Sequence, residues 1–230
     1  VLEPIRNHRP DKVFLTTIRK ITKELGIPLV FDEITAGWRL NIGGAHLLFY
    51  NVVPDIAVFG KGLSNGFPMA AIIGTREVMQ SAQETFISST YWTDRIGPAA
   101  AIATIKKMKK YNIHKHLIKI GRQVKGVWKN AAKKYKIKMK IGGIDPLGHF
   151  TFQYKNPLVL KTLFSQEMLK RGFLATTVFY ASFAHKKKHV RKYLIATEET
   201  FGLIAKALKE GHPEKYLEGP VCHSGFQRLV

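Results

Sequence analysis

Short, uninterrupted apolar runs that alternate with amphipathic segments constrain the fold of this chain most strongly. Residues 11–25 repeat apolar side chains at helical spacing, and the apolar run 27–31 follows directly after Gly26. Two similar runs cover residues 55–59 and 70–74. Apolar runs without alternation are typical of parallel strands that are covered on both faces, and strands that alternate with helices favour an α/β sheet. We therefore predict an α/β fold for the first part of the chain.

The pattern changes after about residue 111, where a long basic helical pattern begins. We predict helices over residues 114–136, 158–170 and 189–208, and strands over residues 149–154, 173–177 and 181–184. This mixture predicts a small α+β domain. The predicted organisation is a first domain over residues 1–111, the α+β domain over residues 112–210 and a tail over residues 211–230.

Composition excludes several classes of protein. The longest apolar stretches, such as residues 69–73, are far too short to cross a bilayer. Cys222 is the only cysteine, so the chain forms no internal disulfide and no cysteine metal site is expected. The histidines show no metal-ligand spacing. We predict a cytoplasmic protein without a membrane segment or a metal. Because the chain begins with Val1 rather than Met, we expect it to be the later part of a longer protein.

The formal net charge of +21 is large and unevenly distributed. No Asp or Glu occurs over residues 95–144, where many lysines accumulate, and a second basic cluster covers residues 186–192. One interpretation is a nucleic-acid or anionic-surface interface. The other is a set of solvated lysine faces on amphipathic helices. We favour the second, because most of the basic residues are lysines, few aromatics are interleaved with them and no nucleic-acid motif is present.

Two polar residues stand at the ends of predicted strands. Asp32 follows the run 27–31, and Lys61, between Gly60 and Gly62, follows the run 55–59. A carboxylate at the carboxyl end of a parallel strand faces the crevice where α/β sheets bind ligands. Such a pair suits pyridoxal phosphate (PLP), which needs an amine to hold its aldehyde as an imine and an anion to keep its pyridine nitrogen protonated. Taken singly, the two residues are equally typical of a loop-capping Asp and a solvated Lys.

The surrounding motifs resemble those of the class III PLP-dependent aminotransferases of fold type I, most closely the glutamate-1-semialdehyde aminomutase-like branch. The resemblance extends more weakly to about residue 211. The segments that carry it are Glu3-Pro4-Ile5, LVFDEITAGWR (29–39), Pro54-Asp55-Ile56, GKGLSNGFP (60–68) and TDRIGPAAA (93–101).

The resemblance implies roles for individual residues. Lys61 would form the internal aldimine with PLP and move the proton during catalysis. Asp32 would pair with the pyridine nitrogen, and Ile34 would pack on the face of the ring. Thr93 would reach the phosphate of the neighbouring subunit's cofactor. For Glu33, which is usual in the motif, we expect a structural hydrogen-bonding role.

The resemblance also implies architecture and partners. Residues 1–111 would be part of the fold type I large domain, a mostly parallel sheet flanked by helices, and the α+β domain would follow it. We expect a homodimer with a shared active site, a small-molecule amino donor and a keto or aldehyde acceptor. The phosphate-binding loop and the ring-stacking aromatic of the family would precede residue 1. An intramolecular aminomutase, a non-catalytic relative and a basic nucleic-acid-binding protein remain as alternatives.

Overall fold

The computed structural model describes residues 1–91 and 93–225, which form two units that divide between Ile118 and Lys119. The predicted boundary between residues 111 and 112 coincides with a break between two helices, whereas the units divide within the second of these helices. The predicted domains therefore stay a prediction. Residues 226–230 of the predicted tail lie outside the described residues.

The first unit contains a three-stranded sheet with the strand order β1-β2-β3. Strands β1 and β2 are parallel, and β2 and β3 are antiparallel. Leu2 adds a parallel bridge to Phe31 on the other side of β1. The elements of this unit are α1 (Lys12–Glu24), β1 (Val30–Asp32), β2 (Ile56–Phe59), β3 (Ala71–Gly74), α2 (Arg76–Gln80) and α3 (Ile96–Tyr111).

Local sequence explains the first helix–strand pair. The Asp11 side chain caps α1 by accepting a hydrogen bond from the Phe14 backbone N–H at 2.9 Å. After the helix, Gly26 takes a φ of 63°, which a residue without a Cβ adopts at little cost. Asp55 then links the segments, since its Oδ2 accepts from Arg19 at 2.8 Å and from the Leu29 N–H at 2.7 Å. The predicted helix and strands of this region are confirmed, with bounds shifted by a few residues.

The second unit packs helices against an antiparallel sheet with the order β4-β5-β6. Its elements are α4 (Ile113–Lys134, which begins in the first unit), β4 (Met139–Gly142), β5 (Leu147–Phe152), α5 (Pro157–Lys170), β6 (Val178–Tyr180) and α6 (Lys187–Glu210). Aromatic side chains dominate its core, where Phe150 contacts Trp128, Phe164 and Phe201 edge-on at centroid distances of 4.9, 5.2 and 6.1 Å. The α+β character of this unit is as predicted.

Two predicted strands, 173–177 and 181–184, are wrong, and the strand β6 lies between them. β5 supplies the ladder partners for β6, which pairs through Leu147–His149. The Phe173 ring instead packs against the Tyr193 ring at a centroid distance of 5.6 Å. The apolar residues of this segment therefore contribute to the core and not to a sheet. Strand β4 was not predicted.

No helix within the two described ranges combines the length and the apolarity that crossing a bilayer requires.

Candidate active site

The parallel pair β1 and β2 positions the two residues singled out from the sequence. Asp32 is the last residue of β1 and is paired with Val58 of β2. Lys61 begins a short 3-10 turn, Lys61–Leu63, just after β2 ends. The Lys61 Nζ donates a hydrogen bond to the Thr35 Oγ1 at 3.0 Å. The structure therefore brings the Lys61 amine to the loop that directly follows Asp32, at the carboxyl ends of both strands.

Asp32 keeps its carboxylate close to its own loop. Its Oδ1 accepts from the Ile34 backbone N–H at 2.9 Å, and the residue is half-buried. Within residues 1–91 and 93–225, neither Asp32 nor Lys61 takes part in an ion pair. The carboxylate and the amine are thus not neutralised by a charged side chain of this part of the protein.

The glycines on either side of Lys61 both lie close to the loop that follows Asp32. A Cβ added at Gly60 would meet only the Ile34 side chain, at 3.5 Å, and one added at Gly62 would meet the Trp38 Cβ, also at 3.5 Å. These are ordinary van der Waals distances, so a methyl group would just fit at either glycine. Ile34 thus lies beside Gly60, and Lys61 is exposed.

The backbone at Lys61 is unusual. Its φ of 43° lies in the left-handed region, which costs a non-glycine residue on the order of 1–3 kcal/mol. Nearby, Trp38 also has a positive φ, of 64°, and its ring packs against Phe59 of β2 at 6.1 Å. Such conformations persist where the surrounding structure enforces them, and they cluster at functional sites.

A buried carboxylate, Glu33, anchors the same loop. Its oxygens accept from the backbone N–H groups of Ala45 and His46 at 2.9 and 2.8 Å, and its Oε1 lies 2.7 Å from the His46 Nδ1. Glu33 is fully buried, so these partners offset the cost of its desolvation. The structural hydrogen-bonding role expected for Glu33 is confirmed. The contribution of His46 was missed, because no sequence pattern links two residues separated by a loop of this length.

No described hydrogen bond or ion pair joins Thr93 to this arrangement. Thr93 is exposed, in the segment that precedes α3, and it makes no described contact with Asp32, Ile34 or Lys61. In the same segment the Asp94 backbone N–H donates to the Tyr91 carbonyl at 3.0 Å, and the Asp94 carboxylate accepts from the Ile96 N–H at 2.9 Å. No group of three or more His, Cys, Asp or Glu residues suited to a metal occurs among the residues that the structure describes.

The α/β fold with a lysine beyond the ends of two parallel strands is typical of PLP-dependent enzymes. Comparison with known proteins identifies the family. A sequence model of the family Aminotransferase class-III matches residues 2–197. This match spans most of the chain, and the chain belongs to the class III aminotransferase family.

Individual relatives agree with this assignment. Over 225 residues the chain is 28% identical to a glutamate-1-semialdehyde 2,1-aminomutase of Ignicoccus hospitalis, covering 89% of this chain and 53% of that protein. It is 39% identical over 105 residues to a 3-aminobutyryl-CoA aminotransferase of Cloacimonas acidaminovorans, covering 45% of this chain and 25% of that protein.

Among solved structures, the FumI protein of Sphingopyxis sp. MTA144, in its PLP internal aldimine form, superposes with a TM-score of 0.82. The sequences are 23% identical, over 90% of this chain and 50% of FumI. The fold is therefore that of the fold type I PLP-dependent transaminases, as predicted. The chain spans about half the length of the relatives that it matches along most of its sequence.

Proposed function

We propose that this protein is a PLP-dependent aminotransferase that uses Lys61 as its cofactor-binding and catalytic lysine. The observation that carries the proposal is the position of the Lys61 amine, 3.0 Å from Thr35 Oγ1 and beyond the carboxyl ends of two paired parallel strands. Family membership supports the same reaction class.

The residues present fit PLP. Lys61 offers an exposed amine without an ion-pair partner in the described part of the chain, and Asp32 offers a carboxylate at the end of the neighbouring strand. When bound, PLP supplies the electron sink that stabilises negative charge at the α-carbon of the substrate.

Each residue would then have a distinct task. The Lys61 amine would hold the cofactor and, once released, remove the proton from the α-carbon of the substrate. The Asp32 carboxylate would keep a proton on the pyridine nitrogen, and Ile34 would support the face of the ring. A base held in place in this way typically contributes about 10²–10⁴-fold to the rate.

Thr93 is proposed to act across a homodimer, by contacting the cofactor phosphate of the neighbouring subunit. Its exposure in the described chain is compatible with that role. Sedimentation analysis of the purified, active protein tests the dimer, and a monomer with full activity would exclude it.

We also propose that the protein is cytoplasmic, because its single cysteine suits a reducing compartment. Cell fractionation tests this location.

Borohydride reduction tests the role of Lys61. In the protein incubated with PLP and then reduced, we expect mass spectrometry to find a stable pyridoxyl group on the peptide that contains Lys61. Lys61→Ala should lose this modification and reduce turnover by at least about 100-fold, since it removes both the covalent anchor and the base.

Lys129→Ala is the matched control, because Lys129 is an exposed lysine on α4, far along the chain from the site. It should keep the modification at Lys61 and its turnover. Covalent PLP on another lysine, together with normal turnover of Lys61→Ala, would refute the assignment. A protein that binds no PLP at all would be a non-catalytic relative.

An intramolecular aminomutase is the second candidate, and the aminomutase among the relatives favours it. A mutase keeps the amino group on one molecule, whereas a transaminase passes it to a second substrate. Turnover that needs no added keto acid would identify the mutase, and strict dependence on one would identify the transaminase.

A further inference from the structure

Thr35 occupies a position that mirrors the position of Lys61. Asp32 of β1 and Val58 of β2 are partners in the parallel ladder. Thr35 follows Asp32 by the same number of residues as Lys61 follows Val58. The two loops therefore leave the sheet side by side. Their side chains meet there, with the Lys61 Nζ donating to the Thr35 Oγ1 at 3.0 Å.

The loop that carries Thr35 is fixed by hydrogen bonds at several points. The Glu33 N–H donates to the Val58 carbonyl at 2.9 Å, and the Gly37 N–H donates to the Glu33 carbonyl at 2.8 Å. The Thr35 carbonyl accepts from the Arg39 guanidinium. Because the backbone on both sides of Thr35 is held, its hydroxyl is presented to Lys61 from a rigid base.

Lys61, in contrast, has a long and flexible side chain. An unbound lysine loses up to about 2 kcal/mol of rotamer entropy when it is held in one arrangement. A hydrogen bond to a fixed acceptor offsets part of this loss. A threonine hydroxyl can also donate to the lone pair of a neutral amine, so it can hold the amine whether or not that amine is protonated.

We propose that Thr35 is a positioning residue for the reaction. Its hydroxyl holds the Lys61 amine over the carboxyl ends of β1 and β2 whenever the lysine is not covalently engaged, so that the amine is in place to remove the proton from the substrate. This role rests on the proposed function of Lys61. It predicts that removing the hydroxyl slows the chemical step and leaves substrate binding nearly intact.

Kinetics of three variants tests this role. Thr35→Val keeps the shape of the side chain but removes the hydroxyl. We expect it to lower kcat about 3- to 10-fold, as for the loss of a hydrogen bond between neutral groups, because the amine that removes the proton is unprotonated. KM for the amino donor should stay within about twofold. Thr35→Ser should restore most of kcat. Thr17→Val, which changes an exposed threonine of α1, should behave like the wild type.

A second readout needs neither cofactor nor turnover. In the cofactor-free protein, limiting acetic anhydride at fixed pH should acylate Lys61 several-fold faster in Thr35→Val than in the wild type, because the amine is no longer held. Lys129 serves as the internal reference lysine, and mass spectrometry gives the ratio of the two rates. Thr35→Ser should match the wild type. Thermal unfolding confirms that each variant is folded.

The outcomes separate the two proposals. An unchanged acylation ratio in Thr35→Val, a wild-type kcat in that variant, or an equal loss of kcat in Thr35→Val and Thr35→Ser would each overturn the role of Thr35 while leaving Lys61 as the PLP lysine. If reduction instead fixes PLP on another lysine, the proposed function fails, and the role of Thr35 fails with it, whatever the acylation result.

Discussion

Glu167 shows how a single buried charge is accommodated in the second unit. Its side chain is only 7% exposed, and its oxygens accept from Lys170 at 2.9 Å, Arg171 at 2.8 Å and Gln166 at 3.1 Å. Burial by itself raises the pKa of Glu167, but the hydrogen bonds from Lys170, Arg171 and Gln166 outweigh it and lower the pKa to about 2. The folded protein therefore favours the charged form of Glu167 over its neutral form more strongly than the unfolded chain does.

Stability should consequently depend on pH through Glu167. Because its pKa is lower in the folded state, the contribution is complete above about pH 4.5 and is lost as the pH falls toward about 2. Glu167→Gln should reduce the free energy of unfolding at pH 7 by on the order of 2–3 kcal/mol. Urea unfolding of the wild type and the variant should show this difference shrinking as the pH falls through that window.

Glu218→Gln is the control for that comparison. Glu218 pairs with the same Lys170, at 2.6 Å, but its side chain is 69% exposed. Exposed ion pairs contribute at most about 1 kcal/mol, so this variant should be nearly as stable as the wild type. A loss for Glu218→Gln as large as that for Glu167→Gln would contradict the argument from burial.

Sequence identified the residues of the candidate site better than it identified their contacts. Asp32 and Lys61 could be found because each directly follows an apolar strand, and a strand end has a known place in an α/β sheet. The contact of Lys61 with Thr35 and that of Glu33 with His46 depend on how loops fold back over the sheet. No periodicity encodes this, so the structure was needed to find both.

At the level of elements, strand β4 illustrates where sequence patterns mislead. Residues 138–141 alternate Lys138, Met139, Lys140 and Ile141, a period of two that suits an edge strand with one charged face. The many lysines of the preceding helix hid this alternation. The wrongly predicted strands at 173–177 and 181–184 show the opposite error, in which an apolar run does not form a strand. Apolar residues form a strand only where a neighbouring strand offers pairing partners, and β5 pairs with residues 178–180.

Helix α4 contains two glycines in contrasting environments. Asp145 docks its loop on the helix by accepting from Arg122 at 3.0 Å, and Lys125 donates to the Gly143 carbonyl at 2.9 Å. Under this loop, a Cβ added at Gly121 would overlap the Asp145 carbonyl, whereas one added at Gly126 would meet nothing within 4 Å. The loop can therefore approach the helix closely only because residue 121 has no side chain.

We expect opposite effects of the same substitution at these two sites. Gly121→Ala should reduce the free energy of unfolding by about 1–3 kcal/mol or more, since backbone must move to relieve the overlap. Gly126→Ala should raise it by about 0.5–1 kcal/mol, because alanine favours a helix. Denaturant midpoints of both variants measure this. Equal effects at the two positions would mean that the loop does not pack on α4 as described.

On the scale of the whole molecule, the charge distribution is the dominant property. The sequence contains 37 Lys and Arg against 16 Asp and Glu, and nearly all lysines of α3 and α4 are exposed. Several ion pairs of the described chain are also largely exposed, such as Lys20–Glu24 and Lys206–Glu210, and such pairs add little stability. Repulsion between like charges should therefore outweigh the attraction within these pairs.

Added salt should accordingly stabilise the protein. Raising NaCl from 0.01 M to 0.15 M shortens the screening length from about 30 Å to about 8 Å, which weakens long-range repulsion more than close contacts. We expect Tm to rise, by about 2–4 °C for each kcal/mol gained. KCl at equal ionic strength should act alike. A Tm that falls with salt would show that attractive pairs dominate instead.

The strained backbone at Lys61 bears on how well the fold tolerates replacement of this lysine. Glycine at this position would adopt the φ of 43° without penalty, and within the described residues the side-chain hydrogen bond to Thr35 is the one that would disappear. Glu33, in contrast, anchors a loop from the interior. A protein with glycine at position 61 should therefore be about as stable as this one, so the fold itself does not require lysine at this position.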